Sequence, residues 1–248
     1  QLVFFGVEYQ PGDASSFVIP IEALCGFFFL IIALALVGPG QRLGRALAAM
    51  PNRIEAYTLN ILGSLGGIVL FGLCSWFELP PAWWFAAVLL GLAYFLVPGD
   101  RLKGLALSFA PALVLLLATM SGIGPPTSGS GQYWSPYYRI DYDAGPRVIT
   151  VNLIGHQQMV TRDAPFPAYA LPHLLNRDAG RPPFGQVLII GAGSGNDVSR
   201  ALQWGATRVD AVEIDPVIYR LGRQHHPDKP YDDPRVFVHL GDGRNFLK

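Results

Sequence analysis

Four long stretches without a charged side chain dominate the first half of the chain: Ala23 to Gln41, Ala56 to Phe77, Leu79 to Gly99 and Gly104 to Ser121. Each approaches the ~20 residues that an α-helix needs to cross a bilayer. Four such stretches crowded into one region are hard to reconcile with the buried helices of a soluble core, so residues 1–121 are predicted to form about four transmembrane helices with the lipid bilayer as their partner. The composition agrees, with 51% hydrophobic and only 15% charged residues. A cleaved signal peptide does not explain the pattern, because there is no basic start and no single short apolar core.

The 18 basic and 18 acidic residues balance. No Lys/Arg block or aromatic-basic stripe occurs, so nucleic acid is not an expected partner. Cys25 and Cys74 lie inside apolar stretches and read as small packing residues. The histidines at 156, 173, 225, 226 and 239 lack metal-ligand spacing, and adjacent His225 and His226 point in different directions on a helix. They are expected at the surface or in caps, and no metal is expected. Ser194 has glycine on both sides but no visible Asp and His partners, which argues against a serine nucleophile elbow.

Residues 122–132 include GIGPPTSGSG, a linker composition. Residues 133–162 are predicted as a small antiparallel β unit, with strands over Tyr137–Tyr142, Arg147–Leu153 and Gln158–Thr161 and turns at DAGP and IGHQ. Residues 163–248 open with a helix near Tyr169–Asn176 and a breaker from Gly180 to Gly185. They continue as strand, helix, strand, helix, strand, the order of a doubly wound parallel sheet. The expected architecture is therefore a multi-span α-helical membrane region, then a small β unit, then a truncated α/β Rossmann-like domain.

Arg42, Arg45 and Arg53 fall between spans one and two, and Arg101 and Lys103 between spans three and four, whereas the Glu78–Pro81 loop has no basic residue. Basic loops stay cytoplasmic, so four spans would put the soluble part on the far side. In the second span, Gly63 and Gly67 favour close helix contact, and Glu55, Tyr57 and Asn60 read as a polar helix end.

The chemistry is concentrated after Gln186. The apolar run QVLII feeds directly into Gly191, Ala192, Gly193, Ser194 and Gly195. Glycines there permit a tight strand-to-helix turn and close approach of a ligand to the backbone. Asn196 or Asp197 is placed to cap the following helix, and Gly205 to end it. The next strand ends in Glu213, where an acid can accept both hydroxyls of a ribose. Asp215 then caps a helix opening with Pro216, and a third strand, Val236 to Leu240, delivers Gly241, Asp242 and Gly243. Three strand ends converge on one crevice. A dinucleotide fits it poorly, because Asn196 stands where the fingerprint wants glycine and Asp197 would repel a pyrophosphate. A nucleoside without phosphates fits better.

The segments VLIIGAGSGND, VDAVEIDP and DDPRVFVHLGDGRNFL resemble the spermidine synthase family of aminopropyltransferases, more closely its bacterial membrane-fused homologues, and WSPYYRI and IGHQQ are similar to that family's N-terminal β segment. The resemblance covers roughly residues 133 to 248. It implies an S-adenosylmethionine-dependent methyltransferase-type fold, a ribose role for Glu213, an adenine-side role for Asp242 beside Gly243, and for Gln158 the place of the glutamine in the family's DGxxQ element. The implied nucleoside site is Gly191, Gly193, Gly195, Glu213, Asp242, Gly243 and Gln158, and the implied substrate is S-adenosylmethionine or its decarboxylated form. Two features depart from the family. Ser194 stands where its glycine loop carries an acid, and Tyr169, Ala170 and Leu171 replace its tyrosine-histidine-glutamate element. The family's general base is expected beyond Lys248, so no catalytic residue is named.

The expected function is aminopropyl or methyl transfer to a small amine or membrane-proximal acceptor by a membrane-anchored protein involved in polyamine biosynthesis. The alternative is a non-catalytic, degenerate subunit of a larger membrane complex; a homodimer is also open. The expected location is the bacterial inner membrane, multi-pass, with the soluble domain cytoplasmic, where S-adenosyl compounds are made.

Overall fold

The computed structural model describes residues 20–96, 129–165 and 167–248. The expected fourth span, the end of the third, Arg101, Lys103 and most of the linker lie outside the described residues. The chain divides into two compact units, one of residues 1–71 with 86–113 and one of residues 72–85 with 114–248.

Helices α1 (Ile21–Ala49) and α2 (Arg53–Trp76) are long and apolar enough to cross a membrane, with mean hydropathy 2.3 and 1.7 over an 18-residue stretch of each in which no residue is buried. Helix α3 (Pro81–Leu96) is shorter. The structure thus describes two helices that meet the length and composition of a span, where the sequence predicts four. Helix α1 also runs through Pro39 and beyond the expected end of its apolar stretch. Arg42 and Arg45 therefore lie on its last turns rather than in a loop, and only Met50 to Asn52 separate α1 from α2.

The second unit carries a four-stranded antiparallel sheet in sequential order: β1 (Gly131–Trp134), β2 (Arg139–Asp143), β3 (Val148–Val151) and β4 (Ile154–Gln158). Strand β1 starts inside the expected linker, because Gly131 and Gln132 pair with Tyr142 and Asp141. IGHQ is strand, not turn. The turn is Asn152–Leu153, both with positive φ, the conformation that lets a two-residue hairpin follow the strand twist. Ile140, Tyr142, Ile149 and Met159 of this sheet form one buried cluster with Val217, Ile218 and Leu221, so the β unit packs on the helix that follows Glu213.

Helix α4 (Pro167–Asp178) leads into the parallel sheet β5 (Gln186–Ile190), β6 (Arg208–Glu213) and β7 (Val236–Leu240), in that spatial order. It is crossed by α5 (Asn196–Gln203) and α6 (Pro216–His225), with a short 3-10 turn at Pro230–Asp232 and a last turn of helix, α7 (Gly243–Phe246). Val198, Ala201 and Leu202 of α5 bury one face of the sheet against Val209 and Ala211. On the opposite face Leu188, Ile190 and Phe237 stay roughly half exposed. Doubly wound sheets are covered on both faces, so these residues make one layer of that architecture.

Candidate functional site

Register aligns the ends of the parallel strands, pairing Ile190 with Val212 and Glu213 with Leu240. The chain leaving β5 is therefore delivered beside the end of β6. Gly191 and Ala192 both donate to the Val212 carbonyl, at 2.8 and 3.0 Å, and the loop then turns back through two glycines with positive φ. Gly193 has φ +57, and a Cβ on it would collide with the Gln157 side chain; Gly195 has φ +104 and lies against Pro230 and the Tyr231 ring. The Tyr231 hydroxyl donates to the Gly193 carbonyl at 2.7 Å.

Glu213 is 5% exposed and holds this loop from the neighbouring strand. One carboxylate oxygen accepts the Gly193 N–H at 2.7 Å and the other accepts the Asp215 N–H at 2.8 Å. A carboxylate offers about four lone-pair sites, so two remain for ligand hydroxyls. Asp215 caps α6 as expected, accepting from Val217 and Ile218, while its second oxygen is buried without a partner.

The crevice above these groups has a volume of about 350 Å³, within the range of small-molecule pockets. It is lined by Gly191, Ala192, Gly193, Asn196, Asp197, Glu213, Ile214 and Ile218 of the α/β part and by Tyr138, His156, Gln157 and Tyr169 from earlier in the chain. Burial raises the Asp197 carboxyl above its ordinary value. Burial, then the charges of Asp215 and Glu213, push the Tyr138 phenol up to about 12, so it remains a hydrogen-bond donor at neutral pH. The described lining carries two carboxyl groups and neither Lys nor Arg, a setting that favours a cation.

Of the expected site residues, Gly191, Gly193 and Glu213 line the crevice, and Gly195 supports the loop from behind. Gln158 does not reach it: its amide donates to the Pro146 carbonyl at 2.9 Å. Successive strand side chains point to opposite faces, and it is Gln157 that faces the loop, its Oε1 accepting from the Ser194 N–H at 3.0 Å and the Ser194 hydroxyl at 2.7 Å. Asp242 caps α7 by accepting from the Arg244 N–H at 2.9 Å and forms an ion pair with the Arg244 side chain. Neither it nor Gly243 lines the crevice.

Asn196 does not cap α5. The cap position is Gly195, in the left-handed region and without a side chain. Asn196 instead ties the loop to the β unit: its Oδ1 accepts from the Val160 N–H at 3.0 Å, its amide donates to the Gln158 carbonyl at 2.8 Å, and His226 Nε2 lies 3.1 Å from Oδ1. His226 Nδ1 accepts from the Asp228 N–H at 3.1 Å, which leaves Nε2 as the protonated nitrogen facing Asn196. His226 stands at the C-cap of α6, as one of the two expected settings has it, but is fully buried rather than at the surface, and burial pushes its pKa down to about 4. His173 is also buried, stacked on Trp204. Among the described residues, no cluster of three or more His, Cys, Asp and Glu could hold a metal ion.

Residues 179–248 match the family model of the Spermine/spermidine synthase domain. Spermidine synthase 2 of Datura stramonium is 41% identical over 68 residues, which are 25% of this chain and 21% of that protein. Putrescine N-methyltransferase 2 of Nicotiana attenuata is 39% identical over 66 residues, covering 25% and 18%. The chain thus spans about a fifth of the length of these relatives. Among solved structures, spermidine synthase from Thermotoga maritima aligns with a TM-score of 0.38 at 23% identity, covering 48% of this chain and 41% of that one. The similarity thus lies from residue 179 onward, over the strands that build the crevice.

Proposed function

We propose that this protein is a membrane-anchored transferase of spermidine synthase type. It binds S-adenosylmethionine or its decarboxylated form in the crevice and passes an aminopropyl or methyl group to a small amine or a membrane-proximal acceptor. The observation that carries this reading is the Glu213 carboxylate, held at the strand end against the Gly193 amide with acceptor capacity left for a ribose. The sign of the crevice supports it. A sulfonium nucleoside is cationic, and Asp197 and Glu213 are the charged groups of the described lining.

In the transfer, an acceptor amine would attack the carbon next to the sulfonium, that carbon–sulfur bond would break, and the thioether nucleoside would leave with the electron pair. The residues described here bind and orient the nucleoside. Membrane anchoring rests on the length and apolar surface of α1 and α2.

Calorimetric titration of the detergent-solubilised chain with S-adenosylmethionine and with its decarboxylated analogue tests the reading, with Glu213→Ala as control. Binding of either that is lost in the control supports it, and the preferred ligand separates methyl from aminopropyl transfer. Binding of neither ligand would overturn it.

A further inference from the structure

We propose that the open cavity between α4 and α5 is a second ligand site, which takes a small molecule with an apolar body and one carboxylate group held by Arg200. The inference does not depend on which ligand occupies the crevice.

The cavity has a volume of about 720 Å³ and shares no described lining residue with the crevice. Its lining is mainly apolar, with Pro165, Ala170, Leu174 and Trp204, and among the described residues it holds one charged group, Arg200. The Trp204 ring is fixed by His173, stacked on it at 5.8 Å with the planes 10° apart.

Arg200 is 8% exposed. A cation withdrawn this far from water ordinarily stands against a carboxylate. Among the described residues Arg200 has no such partner: it donates to the carbonyls of Arg162 and Ala164 and, at 3.0 Å, to Gln203 Oε1. These acceptors are neutral, so they satisfy N–H groups and leave the charge uncompensated. The acids close by in sequence or through shared partners are engaged elsewhere. Asp228 accepts from the Ser199 hydroxyl at 2.6 Å and pairs with Arg162 at 3.6 Å. Asp163 is exposed, and Asp197 lines the crevice.

A guanidinium carries five N–H donors. The bonds to Arg162, Ala164 and Gln203 use both hydrogens of Nη1 and one of Nη2, which leaves the Nε–H and the second Nη2–H. Two donors on neighbouring nitrogens are what a carboxylate engages in a bidentate pair. One guanidinium in an apolar lining matches a monoanion. A phosphate dianion would bring a second charge that no group of the described lining compensates. Leu174 and the Trp204 ring then supply contact for an apolar or aromatic body.

Fluorine NMR titration of the full chain in detergent, with micelles alone as background, compares 4-fluorobenzoate with its neutral analogue 4-fluorobenzamide. The expected result is saturable binding of the acid, at least ~10-fold tighter than that of the amide, because the charge-assisted pair is lost in the latter. Leu174→Trp, which fills the cavity and leaves the bonds of Arg200 in place, is expected to abolish binding of the acid. Arg200→Gln is expected to abolish the preference for acid over amide. Absence of saturable binding by the parent chain, equal binding of acid and amide, or undiminished binding of the acid by Leu174→Trp each overturns the proposal.

Discussion

The Glu213 carboxylate accepts the Gly193 backbone N–H at 2.7 Å, so the end of β6 holds the loop that leaves β5. Strand register places the two within reach, and the carboxylate's other oxygen fixes the start of α6 through the Asp215 N–H. Replacing Glu213 with Gln removes one of these acceptors and turns an amide N–H toward a backbone N–H. An unpaired buried donor costs about 1–3 kcal/mol. Glu213→Gln is expected to lower the unfolding midpoint and to weaken binding of the S-adenosyl ligand at least tenfold. Unchanged affinity in calorimetry would remove Glu213 from the binding site.

The choice between two adjacent glutamines can be tested directly. Gln157→Ala leaves the Ser194 N–H and hydroxyl without their acceptor and is expected to weaken ligand binding about tenfold, whereas Gln158→Ala, which loses only a hydrogen bond to Pro146, leaves affinity unchanged. Parallel titrations of the two variants decide the assignment, and equal losses would contradict it.

Gly222 of α6 lies so close to the Ser194 backbone that a Cβ would overlap its carbonyl group. Backbone cannot swing aside as the end of a flexible side chain can. Gly222→Ala should therefore push α6 away from the loop at a cost of about 1–3 kcal/mol, despite alanine's higher helix propensity. Thermal unfolding in detergent is the measurement, and a midpoint at or above that of the parent would show that the contact is loose.

His226 is neutral in the fold, with its pKa depressed from 6.5 to about 4. Below pH 6.5 the unfolded chain binds a proton that the folded chain refuses, so this group's effect on stability becomes steadily more unfavourable as pH falls from 6.5 to about 4 and is constant below that. The full penalty is on the order of 3 kcal/mol. The unfolding midpoint should fall through this window, and more steeply than in His226→Gln. Parallel pH profiles for the two would contradict the assignment.

Asp197 carries a desolvation penalty on its charged form. Its folded pKa is raised, so the group costs stability as pH rises above the unfolded value and is most unfavourable at neutral pH. Asp197→Asn is expected to raise the unfolding midpoint at pH 7 while weakening binding of the cationic nucleoside. A variant that binds the sulfonium ligand as tightly as the parent would show that Asp197 does not face its charge.

Local sequence alone determined the parallel strands, the glycine loop, the Asp215 cap and Glu213 at a strand end, because each depends on residues within a few positions: an apolar run, a Gly that must turn, an Asp before Pro216. It also marked the charge-free stretches Ala23–Gln41 and Ala56–Phe77 that make up most of α1 and α2. Tertiary structure decided which side chains meet. The hairpin at Asn152–Leu153, rather than at IGHQ, sets the strand phase and turns Gln157 instead of Gln158 toward Ser194. Asn196 has the chemistry of a cap but bridges to β4, because the β unit presents the Val160 N–H and the Gln158 carbonyl there. His226 is buried by packing between elements distant in sequence. Whether an acid near the crevice lines it, as Asp197 does, or caps a helix outside it, as Asp242 does, depends on the direction in which each turn leaves the sheet, and no spacing along the chain records that.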